Sequence, residues 1–167
     1  MEEKEHTHIA YADEAYHHGG QYSAICLVSL SKDKKEFIET RIKDIIDSFG
    51  ISELKWARLC GSRETACVCR IIDFICFLAK QKLIRIDIMV WNNRERTDQL
   101  PTTKSRTLGI MYYHLLKNVL SKRWPKECNW IIFPDKQTML DWNEVKDILE
   151  SVSSNLEIKK QKDNSVI

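Results

Sequence analysis

Two places in this sequence set carboxylates where a sheet could bring them together. Asp13 and Glu14 follow the apolar run Ile9-Ala10-Tyr11-Ala12, and Asp135 follows Trp130-Ile131-Ile132-Phe133 and Pro134. Both runs read as buried strands, each ended by its acid. In an open α/β sheet ligands gather beyond the carboxyl ends of the strands. If the two strands are neighbours, Asp13 and Asp135 converge, and converging carboxylates without a compensating cation bind a hard divalent ion such as Mg²⁺ or Mn²⁺. The plainer alternative is local, because an aspartate after a strand accepts hydrogen bonds from the next backbone N–H groups and shapes a turn or caps a helix.

The elements that must position these acids are punctuated along the chain. Tyr22 to Leu30 reads as a second strand, joined to the first through His17-His18-Gly19-Gly20, whose glycines suit the positive φ of a hairpin turn. Asp33 with Glu36 forms a capping box ahead of a helix in which Ile38, Ile42, Ile45 and Phe49 recur at helical spacing and Gly50 marks the stop. Ser62 to Lys82 reads as a longer apolar helix. Ile84, Ile86, Ile88 and Val90 then alternate with Arg85, Asp87, Met89 and Trp91, a strand with its isoleucines inward and Asp87 outward as an ion-pair partner near Arg85. Asn92 to Thr102 is a polar loop of the length that often carries function. Leu108, Met111, Tyr112, Leu115, Leu116 and Val119 make one helix face ending before Pro125. Asp141 with Glu144 caps a last helix whose core side is Val145, Ile148, Leu149 and Val152, and Leu156 to Ile158 begins a further strand. This order predicts a three-layer α/β domain: a mixed sheet with an N-terminal hairpin, parallel crossovers after it, and helices on both faces.

The 167 residues are 43% hydrophobic and 30% charged, with five Gly and three Pro, the profile of one ordinary domain spanning 1–167 and not of a fibrous, repeat or disordered chain. A chain of this length buries roughly 70% of its unfolded surface, so cysteines are not needed as staples. Met1 to His8 is polar, and the longest apolar stretch, Ile71 to Ala79, is nine residues interrupted by Asp73. That excludes a secretory leader and a membrane span and predicts a cytoplasmic protein with reduced thiols. The net charge of +2 is unevenly spread: Lys80 to Lys126 holds eleven Lys or Arg against three acids. That segment is either a nucleic-acid surface or two solvated helix faces. Cys67 and Cys69 sit two apart on a helix and point to different faces, so with Cys60 and Cys76 they read as buried or half-buried structural thiols and not a zinc site. His6, His8, His17 and His18 read as surface histidines, and His114 as a hydrogen-bonded boundary residue. Trp56, Trp91 and Tyr113 could stack bases, although such aromatics more often belong to the core. No Walker, Rossmann or G-x-S-x-G motif occurs.

Ala10-Tyr11-Ala12-Asp13-Glu14, Glu53-Leu54-Lys55-Trp56, Arg85-Ile86-Asp87-Ile88-Met89-Val90-Trp91, Met111-Tyr112-Tyr113-His114-Leu115 and Trp130-Ile131-Ile132-Phe133-Pro134-Asp135 stand in an order that resembles the prokaryotic proteins grouped as domain of unknown function 3800. The resemblance implies a fold of the RNase H-like superfamily, whose members use three or four carboxylates and two metal ions to hydrolyse phosphodiesters. It implies that Asp13 and Asp135 are metal ligands, that Glu14 and Glu53 are supporting acids, and that Lys55 contacts phosphate or a carboxylate. In such chemistry two cations about 4 Å apart bridge a phosphate oxygen, one activating water and the other stabilising the leaving oxygen. The cations Lys80, Lys82, Arg94, Arg96, Lys104, Arg106, Lys122 and Arg123 are expected to form a basic patch beside the acidic cleft, with Arg94, Arg96, Lys104 and Arg106 on the nucleic acid. Two departures stand out. Asn92, followed by Asn93, stands after the strand tryptophan where similar proteins tend to carry an acid. Similar proteins also continue past a stretch like Lys162-Asp163-Asn164-Ser165 into a helix with a final aspartate, so the domain is expected to be C-terminally incomplete. Two functions follow: a Mg- or Mn-dependent nuclease using Asp13, Glu14, Glu53 and Asp135 on DNA or RNA, or a non-catalytic nucleic-acid-binding or assembly module. The expected partners are nucleic acid and further copies of the chain, not a membrane.

Overall fold

The computed structural model describes residues 5–16, 20–52, 54, 59, 61–93, 104–125, 127–135, 140–150 and 156–159. Its elements in chain order are β1 (His8–Tyr16), β2 (Tyr22–Ser31), α1 (Lys35–Ser48), α2 (Ser62–Lys80), β3 (Ile84–Asn92), α3 (Lys104–Asn118), β4 (Trp130–Pro134), α4 (Trp142–Glu150) and β5 (Leu156–Ile158). The strands form a five-stranded mixed sheet in the order β3-β2-β1-β4-β5. β2 is antiparallel to both β1 and β3, while β4 runs parallel to β1 and β5 parallel to β4.

The two-residue period of each strand sorts its side chains onto two faces. Ala10, Ala12, Ile25, Leu27, Trp130 and Ile132 share a core with Met111, Tyr112, Leu115 and Leu116 of α3 and with Val145 and Leu149 of α4. Ile9, Tyr11, Leu30 and Ile84 point the other way and meet Ile38 of α1 and Leu78 of α2. Helices therefore cover both faces. α1 and α2 end in the same way. Gly50 at φ 62° and Lys82 at φ 58° take the left-handed conformation, and the paired bonds Gly50 N–H to Asp47 O with Ile51 N–H to Ile46 O recur as Lys82 N–H to Ala79 O with Leu83 N–H to Leu78 O. This double closure satisfies carbonyls that the helix end would otherwise orphan.

Four sequence expectations change. β1 does not end at Asp13 but continues in register with β2 to Tyr16. β3 is not a parallel crossover: α1 and α2 return the chain to the end of the sheet where β2 finished, so Ile84 pairs with Leu30 and β3 runs antiparallel. Asp33 does not cap α1, because it lies inside a 3₁₀ turn (Lys32–Lys34) and α1 starts without a side-chain cap. The faces of β3 are inverted. Arg85, Asp87, Met89 and Trp91 stand opposite Ser29, Leu27, Ile25 and Ser23, on the α3 side, while Ile86, Ile88 and Val90 are 41%, 64% and 61% exposed. The Asp141 cap is present, its Oδ1 accepting the Asn143 N–H at 2.9 Å. The hairpin turn expected at His17 to Gly20 falls largely outside the described residues.

Candidate functional site

β1 and β4 bring Asp13 and Asp135 together. Their parallel register pairs Tyr11 with Phe133 and Ala12 with Pro134, and the Asp135 N–H continues it by donating to the Ala12 carbonyl at 3.0 Å. Asp13 and Asp135 are the next residues along the two chains and lie near enough for the charge of Asp135 to act on the Asp13 carboxyl. Asp13 occupies the face that carries Tyr11 and Phe133, whose rings stack at 5.4 Å. α1 covers the middle of that face through Ile38, whereas Asp13 remains exposed. Burial beside the sheet is nonetheless the main reason the Asp13 carboxyl is held above its ordinary range; the Glu14 N–H on Oδ1 (2.8 Å) opposes the shift, and the charge of Asp135 adds to it. Among the described residues neither acid has a cationic partner. The nearest ionic group on this face is already engaged: Lys35 pairs with Glu39 at 3.6 Å and lies over the Phe133 ring, and Glu39 accepts the Tyr11 hydroxyl at 2.9 Å. Burial, then the Glu39 contact, keep that phenol protonated.

Glu14 is turned away from this pair. As the next residue along β1 it projects to the opposite face, where its Oε1 accepts the hydroxyl of the fully buried Tyr112. Its neighbourhood is therefore α3, not Asp135. Asp87 faces the same side, its Oδ1 lying 3.7 Å from Arg85 Nη2, so the expected pair forms but inward. Asn93 Nδ2 donates to the Gly20 carbonyl and to Ser23 Oγ at 3.0 and 2.9 Å, tying the end of β3 to the start of β2. Cys26, the β2 partner of Asp13, was not singled out by the sequence, since only the register places it there. Burial first and the charges of Asp13 and Asp87 second raise its thiol above the ordinary value.

The basic residues divide between the two ends of the sheet. Lys80 and Lys82 precede Ile84 at the start of β3, and Lys122 and Arg123 precede β4, so these four lie at the end opposite to Asp13 and Asp135. The expected single patch does not include them. α3 runs from the end of the sheet where Glu14 lies back toward the other: Tyr112, past its middle, meets Glu14, and Trp124, six residues beyond its end, donates to Ser29 at 3.0 Å. Lys104 and Arg106 belong to the first turn of α3. Their side chains, together with Glu53, Lys55, Arg94 and Arg96, lie outside the described residues.

Of the remaining candidates some pack into the fold and some are exposed, while His17, His18, Trp56 and Cys60 lie outside the described residues. His8 is half-buried, with Trp124 and Trp130 rings at 4.7 and 5.1 Å, and burial lowers its pKa. Cys67 is buried, but Cys69 and Cys76 are exposed free thiols. Trp91 and Tyr113 pack against the α3 core, and His114 is exposed on α3.

Two carboxylates with open lone pairs fit one hard cation, completed by water and phosphate oxygens. Among the described residues no group of three His, Cys, Asp or Glu side chains gathers for a metal, and no helix is long and apolar enough to cross a membrane. No family model matches the sequence. The chain is similar to two proteins of Methanothermobacter thermautotrophicus described as uncharacterized proteins ORF2′ and ORF2, each 32% identical over 168 residues, covering 92% of this chain and 56% of theirs. It thus spans about half the length of the curated relatives it matches.

Proposed function

We propose that this chain is a Mg²⁺- or Mn²⁺-dependent phosphodiesterase domain acting on DNA or RNA, built on an RNase H-like fold related to domain of unknown function 3800. One observation carries the reading: Asp13, within β1, and Asp135, the residue after β4, lie near each other on two adjacent parallel strands, Asp13 exposed and Asp135 half-buried, with no cation paired to either among the described residues. The mixed sheet with a leading hairpin and helices on both faces is the architecture that reading requires. Asp13 and Asp135 would hold the ion. When bound, the ion would lower the pKa of water and offset charge on the phosphoryl group. The protein's own contribution is orientation. The Glu14 N–H donates to one oxygen of Asp13 and would hold it in place for the ion. Glu53 would add a further acid, and Lys55, Arg94, Arg96, Lys104 and Arg106 would meet phosphates. The test is calorimetric titration with MgCl₂ and MnCl₂ beside cleavage of labelled DNA and RNA. Binding and cleavage that both vanish in Asp13→Asn and Asp135→Asn support the proposal; cleavage unaffected by either substitution overturns it.

A second reading, a non-catalytic nucleic-acid-binding or assembly module, is favoured by a separate observation. Two carboxylates suffice for one ion, but two ions bring four positive charges, and Glu14, the expected third acid, faces α3. Nucleic-acid binding without cleavage, unchanged by Asp13→Asn, is the outcome this reading requires.

A further inference from the structure

β3 is an edge strand, paired with β2 on one side and with no strand on the other among the described residues. A single bond shows which of its backbone groups are unused. The Asn93 N–H donates to the Gln21 carbonyl at 2.7 Å, one step beyond the Tyr22–Asn92 pair. Hydrogen-bonded and non-hydrogen-bonded pairs alternate along an antiparallel ladder. Arg85, Asp87, Met89 and Trp91, in phase with Asn93, therefore bond to β2, and Ile84, Ile86, Ile88 and Val90 turn their N–H and C=O groups outward. Natural edges are usually blunted by proline, bulges or outward lysines. β3 has no proline, bulge or outward lysine along its nine residues, its charges Arg85 and Asp87 lying on the inner face, and Ile86, Ile88 and Val90 leave an apolar stripe exposed.

We propose that β3 pairs antiparallel with β3 of a second copy about a two-fold axis at Ile86, joining the two sheets into one. Charge selects this register. With the axis at Ile86, Ile86 meets Ile86 and Ile84 meets Ile88 in hydrogen-bonded pairs on the apolar side, while Arg85 of each copy stands opposite Asp87 of the other. That is a non-hydrogen-bonded pair, the kind in which side chains approach most closely. Moving the axis to Asp87 or to Arg85 sets like charges against each other. Moving it to Ile88 leaves Arg85 facing Trp91 and Asp87 facing Met89. A slip of one residue sets the apolar side against the polar one. Within one chain Arg85 and Asp87 make a 3.7 Å contact and keep 37% and 16% of their side-chain surface exposed. The second copy supplies each with another opposite charge. β1 and β4, beside which Asp13 and Asp135 lie, are not at the paired edge.

Sedimentation of the purified chain over a dilution series tests this, with charge variants as the probe. The chain should run at twice its monomer mass and halve on dilution. Arg85→Asp sets acids opposite acids and Asp87→Arg sets bases opposite bases, so each variant alone should run as a monomer. An equimolar mixture of the two variants should return to the dimer mass, because each supplies the charge the other lacks; a fold damaged by substitution would not be rescued by mixing. A wild-type chain that stays monomeric, variants that dimerise as well as wild type, or a mixture that stays monomeric would each overturn the proposal.

Discussion

At Asp13 the proposed role in holding an ion and the stability of the fold would pull in opposite directions. Its carboxyl is held above the ordinary value of 3.8, chiefly by burial, so the folded chain binds that proton more tightly than the unfolded chain does. Stability is therefore lost as pH rises from that value through the folded pKa, and at neutral pH the ionised Asp13 is a burden on the fold. Asp13→Asn should raise the urea midpoint at neutral pH, and the gain should disappear below pH 3.8. Mg²⁺ reverses the order. A ligand at one hundred times its dissociation constant stabilises by about 2.7 kcal/mol, so Mg²⁺ should raise the wild-type midpoint and leave that of Asp13→Asn where it was. A Mg²⁺ shift of equal size in both would place the ion elsewhere.

At the scale of elements, the two matched helix ends offer a comparison within one chain. α1 closes on Gly50, whereas α2 closes on Lys82, a side-chain-bearing residue at φ 58°. A left-handed conformation costs such a residue roughly 1–2 kcal/mol, and glycine recovers most of it. Lys82→Gly should stabilise by about 1 kcal/mol in urea unfolding, and a loss of stability would show that the Lys82 stem packs more than the backbone strains. The join between β1 and α3 rests on Tyr112 and Glu14. Tyr112→Phe leaves that carboxylate short of a donor and should cost about 1–3 kcal/mol. Mg²⁺ affinity should be unchanged, because Glu14 lies on the opposite face from Asp13. A drop in affinity comparable to that of Asp13→Asn would make Glu14 part of the ion site after all.

For the whole molecule, the decisive quantity is where the cations lie relative to the acids. Lys80, Lys82, Lys122 and Arg123 are exposed at the end of the sheet remote from Asp13. Replacing all four with Gln should leave the binding of a short oligonucleotide, and its dependence on salt, as in wild type. Each phosphate contact contributes roughly 0.7–0.9 to the slope of log affinity against log salt. A slope reduced by several such contacts would move the nucleic acid to the remote end and favour the binding module over the phosphodiesterase.

Much of this organisation is local and can be read along the chain. The helical stop at Gly50, the Asp141 cap, the apolar runs of β1 and β4 and the acids beside them all follow from backbone preference and from side chains within a few residues. The separation of Asp13 from Glu14 was also available in principle, since consecutive strand residues point to opposite faces. It was obscured by ending the strand at Asp13, where the parallel pairing with β4 stops but the pairing with β2 continues. Other features had no local signal. The alternation in Ile84 to Trp91 defines two faces, but only the position of α3 decided that the face carrying Asp87, not the isoleucines, is the inner one. The division of the basic segment between two ends of the sheet depends on the direction in which α3 runs. A two-residue period sorts side chains into two sets by geometry alone; which set is buried is decided by what packs against it, and those neighbours are distant in sequence.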